Sequence, residues 1–238
     1  IARSSSSLRS SRSVLTGKRL LSVNVQNFIN GKFEDSKATK WFDVKNPATQ
    51  EVVCRVPQST AEELARAEAG AKEAFQTWKE VPIQQRQRIF FKFQALIREH
   101  TEELAHSITV EQGKTLPDAR GDVFRGLDVV ETACNAATGL MGETAENLAR
   151  GLDTYSYRQP LGVTGGICPF NFPAMIPMWM FSLSTVVGNT MIVKPSERDP
   201  GATMILAKLL QQAGLPDGVL QVVHGAHDPG NFICDPPA

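Results

Sequence analysis

The sequence predicts an α/β chain built on part of a doubly wound parallel sheet, and three observations carry that expectation. Residues 159–193 hold no charged side chain, the pattern of strands and helices covered on both faces. Strand, helix, strand, helix and strand then follow one another between 162 and 223, with turn residues at each boundary. A membrane span is the competing reading of an uncharged run of that length. Gly162, Gly165, Gly166, Pro169, Asn171, Pro173, Pro177, Gly188 and Asn189 break it up, so no apolar run of about 18 residues survives.

From the N-terminus, residues 1–22 carry Arg3, Arg9, Arg12, Lys18 and Arg19 among many serines and no acid; the first acidic residue is Glu34. That is the composition of a mitochondrial transit peptide. A secretory signal is the weaker reading, for want of an apolar core, and a plain basic tail is the bland one. The chain starts with Ile rather than Met, so its start is expected to be missing. The whole sequence balances 25 Lys+Arg against 25 Asp+Glu, and without the basic segment the remainder carries a net charge near −5. Such a balance excludes a strongly basic nucleic-acid binder.

Segments 23–28 and 32–34 flank Asn30-Gly31, a strong hairpin signal, and 41–44 and 51–56 flank a second turn at 46–49. Ser59 with Glu62 reads as a capping box, followed by Leu64, Ala67, Ala71, Phe75 and Trp78 on one helical face. Pro82 opens a second helix at its first turn, carrying Ile89, Phe90, Phe93, Leu96, Ile97 and Leu104. A third runs through Val123, Leu127, Val130 and Cys134, and 154–159 reads as an exposed strand. The long helices are expected to flank the sheet. The uncharged stretch divides into a strand at 162–168, a helix at 174–187 and a strand at 190–194. A helix at 200–213 stops at Gly214, and 219–223 forms the third strand.

Cys54, Cys134, Cys168 and Cys234 form no C-x-x-C and read as buried thiols, and His224 with His227 reads as part of a solvated loop. Gly113 to Thr115 spells G-K-T, but Ile108 stands where a phosphate-binding loop needs glycine. No G-x-G-x-x-G follows the first parallel strand. Instead Cys168 to Pro173 spells C-P-F-N-F-P at its carboxyl end, where ligands sit in open α/β sheets. Asn171 there is either an oxyanion donor or a turn former between prolines. Lys194 to Arg198 spells K-P-S-E-R at the next carboxyl end. Lys194 and Glu197 can grip a ribose diol, one donating and one accepting, or be solvated loop charges.

From about residue 22 onward the chain resembles the aldehyde dehydrogenase superfamily. The residues that carry this are INGKF (29–33), NPAT (46–49), EQGKT (111–115), GDVFRGLDVVE (121–131), PLGVTGGICPFNFPAMIPMWMF (160–181) and KPSER (194–198). FNFP, where most relatives have WNFP, and the VFRG helix are similar to the coenzyme-A-acylating methylmalonate-semialdehyde dehydrogenases. The resemblance implies an N-terminal part of that fold: a transit peptide at 1–22, then at 23–238 an incomplete Rossmann-like NAD-binding domain. That domain would have an N-terminal β-hairpin region, flanking helices and part of the oligomerisation strands at about 154–159, with the catalytic domain absent.

It also implies roles. Asn171 would be the oxyanion-hole side chain, and Lys194 with Glu197 the adenosine-ribose contacts. Cys168 and Phe170 would line the nicotinamide dinucleotide, with Arg198 beside the adenosine. Arg125 would hold the substrate carboxylate, its alternative being an exposed helix residue. Glu197 near the ribose favours NAD over NADP. The implied reaction is oxidation of a small semialdehyde with NAD, loss of carbon dioxide and acyl transfer to coenzyme A, in valine and pyrimidine catabolism. No metal, nucleic acid or membrane is expected to take part, and the full-length protein is expected to be a homotetramer of the mitochondrial matrix. The nucleophilic cysteine is expected downstream of the sequence, so the isolated chain should be poorly stable, without turnover, and open at a sheet edge, at 219–223 or a neighbouring strand. The alternatives are a non-catalytic short product that binds cofactor or sibling subunits, and another NAD-dependent aldehyde dehydrogenase.

Overall fold

A computed structural model describes residues 23–235. The segment read as a transit peptide lies outside the described residues. Strands β1 (Val23–Asn24), β2 (Asn27–Ile29) and β3 (Lys32–Glu34) come first, followed by β4 (Trp41–Lys45) and β5 (Val52–Pro57). Asn30 and Gly31 turn the chain between β2 and β3 with φ of 50° and 74°. Two consecutive positive values are what a type I′ hairpin requires, and Asn-Gly tolerates them best. The single strand expected over 23–28 is instead two pieces, because Val25 and Gln26 carry the chain between sheets. β1 lies parallel to β5, which pairs antiparallel with β4 in a small sheet.

Helix α1 (Ala61–Trp78) starts at a capping box of Thr60 and Glu63, one residue beyond the Ser59 and Glu62 pair expected. Both pairs satisfy the same local pattern, and tertiary contacts select between them. The Ser59 hydroxyl is engaged elsewhere, donating to Asn27 Oδ1 at 2.9 Å and accepting from His224 N at 3.0 Å. Pro82 is the cap rather than the first residue of α2 (Ile83–Glu99). Leu104 belongs to a separate helix, α3 (Thr101–Gln112). The break falls at His100, and the Thr101 hydroxyl takes the Ile97 and Arg98 carbonyls that a continuous helix would have used. Next come α4 (Leu116–Cys134), capped by Thr115, and the short α5 (Ala136–Gly139).

β6 (Thr144–Ala149) and β7 (Leu152–Tyr155) form an isolated exposed hairpin. The strand expected at 154–159 therefore ends at Tyr155 and extends upstream. Its partner β6 has no apolar alternation to reveal it in the sequence.

The main sheet holds β8 (Val163–Ile167), β9 (Thr190–Lys194) and β10 (Leu220–Val222), with α6 (Met175–Val186), α7 (Gly201–Ala213) and α8 (His227–Cys234) between and after them. Its order is β3-β2-β10-β9-β8, with β8, β9 and β10 parallel. β10 is not the open edge: β2 pairs antiparallel with it, Phe28 opposite Val222. Asn30 at the hairpin tip exchanges two 2.7 Å hydrogen bonds with the Gln221 side chain. Among the described residues the two strands with one neighbour are β3 at one edge of this sheet and β8 at the other.

Alternation along β9 divides the interior. Met191 and Val193 join the large core under α6 and α7, while Ile192 joins a smaller core with Leu64, Ala67 and Ala71 of α1 and, at its margin, Phe232 and Ile233 of α8. α1 thus flanks the sheet as expected. The other long helices do so at one remove, since α4 packs on α6, and α2 and α3 on α7. α6 bears apolar residues around its circumference, so it needs cover on the side away from the sheet as well.

Candidate functional site

β8 and β9 end side by side. The Cys168 N–H donates to the Lys194 carbonyl at 2.9 Å, so the C-P-F-N-F-P and K-P-S-E-R loops leave the sheet as neighbours. Lys194 is buried; its ammonium donates to the Pro195 and Gly225 carbonyls at 2.9 Å each and lies 3.6 Å from Glu197 Oε2. Burial lowers its pKa, and the Glu197 carboxylate opposes that shift. Glu197 is partly exposed, so the pair offers one ammonium hydrogen and one carboxylate to a ligand from the edge of the sheet.

Cys168 is buried, its sulfur 3.8 Å from that of Met180, and burial pushes its thiol up to about 12. Phe170 is 48% exposed, and the Arg198 guanidinium carbon lies 5.0 Å from its ring centroid. Both line a cleft of about 510 Å³ together with Phe42, Pro47, Glu111 and Asp199. Asn171 is exposed, and its backbone carbonyl accepts from Lys114 Nζ at 2.5 Å. Arg125 is exposed on α4 beside Trp179, whose indole N–H donates to the Arg125 carbonyl at 3.1 Å. None of the ion pairs among the described residues uses the Arg125 guanidinium.

The structure therefore brings Cys168, Phe170, Lys194, Glu197 and Arg198 to one end of two adjacent strands. Asn171 stands on the same loop, and Arg125 lies across the α4–α6 contact.

Sequence reasoning missed several polar groups here. Glu111 accepts from Gly201 N, the first residue of α7, at 2.8 Å, and burial pushes its carboxyl up to about 7. Asp199 is buried without a well-aligned hydrogen bond, although the Ser196 hydroxyl is close enough to lower its pKa in part; burial dominates and raises it to about 7. Lys114 pairs with the fully buried Asp122 at 2.7 Å. Lys114 stands in the G-K-T set aside as a phosphate loop, and no periodicity links it to Asp122. His224 is corrected outright. It is completely buried at the end of β10, its Nε2 3.1 Å from the Gln26 carbonyl, and burial pushes its pKa down to about 4. Of the two, His227 is exposed, but it opens α8 and does not lie in a loop.

Among the described residues no three metal-ligating side chains converge, and no helix is long and apolar enough to cross a membrane.

Parallel strands ending in adjacent ligand-facing loops, with helices on both faces, define an α/β protein of the doubly wound nucleotide-binding class. Within that class the chain belongs to the aldehyde dehydrogenase family, whose sequence profile matches residues 33–238. It is 57% identical over 213 residues to the methylmalonate-semialdehyde/malonate-semialdehyde dehydrogenase [acylating], mitochondrial, of Rattus norvegicus, covering 90% of this chain and 40% of the relative. An Arabidopsis thaliana methylmalonate-semialdehyde dehydrogenase [acylating], mitochondrial, is 58% identical over 211 residues, 89% of this chain and 35% of its own length. Among solved structures, a Sinorhizobium meliloti protein described as a methylmalonate-semialdehyde dehydrogenase, complexed with NAD, superposes with a TM-score of 0.85 at 42% identity. The match covers 88% of this chain and 43% of that one. The chain spans about two fifths of the length of these relatives.

Proposed function

We propose that this chain forms the NAD-binding and substrate-orienting part of an enzyme that oxidises methylmalonate or malonate semialdehyde. The enzyme uses NAD and coenzyme A and yields propionyl- or acetyl-CoA with loss of carbon dioxide, in valine and pyrimidine breakdown. The observation that carries this reading is the 57% identity, spread over 90% of the chain, to a relative named for that acylating activity.

The residues present fit a dinucleotide. Two hydrogens of the Lys194 ammonium are taken by carbonyls, and the 3.6 Å separation from Glu197 leaves room for a ribose hydroxyl to accept from one and donate to the other. Glu197 would repel a 2′-phosphate, which favours NAD. Phe170 with Arg198 offers a flat face beside it, and Cys168 closes the loop through its backbone. When bound, the dinucleotide supplies the hydride acceptor. Asn171 presents its side-chain amide to the oxyanion that forms when a thiolate adds to the aldehyde. Arg125 pairs with the substrate carboxylate, a bidentate task suited to a guanidinium.

The thiolate comes from outside this sequence. Burial raises the thiol pKa of Cys54, Cys134 and Cys168, whereas Cys234, expected to be buried with them, is exposed at the end of α8. The 238-residue chain by itself then has no turnover. We assign 1–22 to mitochondrial matrix targeting and 23–238 to the NAD-binding domain. The β6–β7 hairpin contributes to assembly of a homotetramer.

The test is Arg125→Leu in a full-length enzyme carrying this sequence. NADH formation with methylmalonate semialdehyde and coenzyme A should fall by about 10²-fold, as expected for losing a charge-assisted bidentate pair of about 3 kcal/mol. The rate with propanal should change little. Equal loss with both aldehydes would remove Arg125 from the carboxylate site.

A further inference from the structure

We propose that Lys114 and Asp122 are positioning residues for Asn171, clamping the loop that presents its amide; this rests on the oxyanion reading of Asn171 above. Pro169 and Pro173 deprive that loop of two backbone donors, so it has few means of bracing itself. The bracing comes from α4 and the link before it. Lys114 Nζ donates to the Asn171 carbonyl at 2.5 Å and to Asp122 Oδ2 at 2.7 Å, and lies 4.1 Å from the Phe172 ring centroid. The other oxygen, Asp122 Oδ1, accepts from the Met175 N–H at 2.7 Å.

Met175 opens α6, and Ala174 before it has no side chain able to cap. Asp122 therefore takes an orphan helix donor that the loop cannot satisfy, while its partner lysine takes the carbonyl of Asn171. One ion pair thus holds both ends of 171–175. Lys114 has little freedom of its own, standing between Gly113, the left-handed cap of α3, and Thr115, the cap of α4. Asp122 is completely buried, and the Lys114 ammonium is its ion-pair partner. Arg125 lies one turn further along α4, so the same helix sets both the amide and the carboxylate binder.

The experiment uses the full-length enzyme and measures pre-steady-state NADH formation, KM for NAD and thermal unfolding. Lys114→Met should slow NADH formation by about 10²-fold, the scale of a misplacement near 1 Å, with KM for NAD unchanged. Lys114→Arg should recover much of the rate. The double variant Lys114→Met, Asn171→Ala should be no slower than Asn171→Ala alone, because the lysine acts through the asparagine. Should Lys114→Met not fold, Asp122→Asn serves: it keeps an acceptor for Met175 and loses the ion pair, and should show the same dependence on Asn171. Losses that multiply in the double variant would overturn the clamp, as would a lower melting temperature with an unchanged rate. A slow Asn171→Ala beside a full-rate Lys114→Met would remove the clamp alone. A full rate in Asn171→Ala would remove the oxyanion reading and the clamp with it.

Discussion

β9 and β6 are short extended segments of one chain, yet every residue of β9 is buried and every residue of β6 is exposed. β9 lies between two parallel neighbours, covered by α1 on one face and α6 on the other. Among the described residues β6 has one partner, β7, and both strands are exposed along their length. Their hairpin turns Leu148, Leu152 and Tyr155 outward, 65, 51 and 61% exposed. A strand's own sequence therefore accounts for its extended form and little of its stability, which comes from the layers around it. A lone hairpin is marginal in water, which is in keeping with the place in an assembly proposed above for β6–β7.

The contrast is tested most severely at Phe181 of α6, which is fully buried and packs on Phe93, ring centroids 5.9 Å apart. Phe181→Ala should cost about 3–5 kcal/mol in urea denaturation, through lost burial and the cavity left behind. A cost below 1 kcal/mol would mean that the layer over β9 is loosely packed.

His224 gives an intermediate effect, on the buried side of the comparison. Its pKa is depressed from 6.5 to about 4, so between those values the unfolded chain binds the proton and the folded chain does not. Stability is then present above the unfolded pKa and declines as pH falls toward the folded one. Acidification from pH 7 to 5 should remove about 2 kcal/mol that His224→Gln does not lose. Parallel curves for the two proteins would show that this histidine is not excluded from water.

The smallest effect belongs to the hairpin. Leu152→Ser should change the unfolding free energy by less than about 0.5 kcal/mol, as exposed substitutions do. If the proposed assembly role is right, the same change should weaken self-association of the full-length enzyme in sedimentation velocity. A large loss of folding stability in the monomer would place the hairpin inside the core after all.

Much of this was legible from local patterns. Asn30-Gly31 announced a turn because its positive φ values are a property of those two residues, and Gly214 ended α7 for the same reason. The uncharged run announced a doubly covered sheet, and β9 came out with the bounds expected. The K-P-S-E-R and C-P-F-N-F-P loops could be placed together because carboxyl ends of parallel strands share a side. Other features escaped. Ser59 and Thr60 offer capping boxes one residue apart, and only the distant partners Asn27 and His224 decide between them. Lys114 and Asp122 meet over the loop through the geometry of two helices and the link between them. His224 carries nothing in its neighbours to mark it as dry.

The sequence by itself determined the order of strands and helices over 162–223, several of the elements before them, the family and the residues offered at the two strand ends, because helix and strand periods, caps and turns act over a few residues. Tertiary structure alone decided that an N-terminal hairpin closes the β10 side of the sheet and leaves β8 at the open side. It also decided that α4 reaches across to brace the Asn171 loop, and that a histidine in a polar stretch is sealed from water. Those outcomes depend on surfaces separated by tens to nearly two hundred residues, such as Asn30 against Gln221, 191 positions apart. Their fit is set by shape and unsatisfied polar groups, which no local spacing encodes.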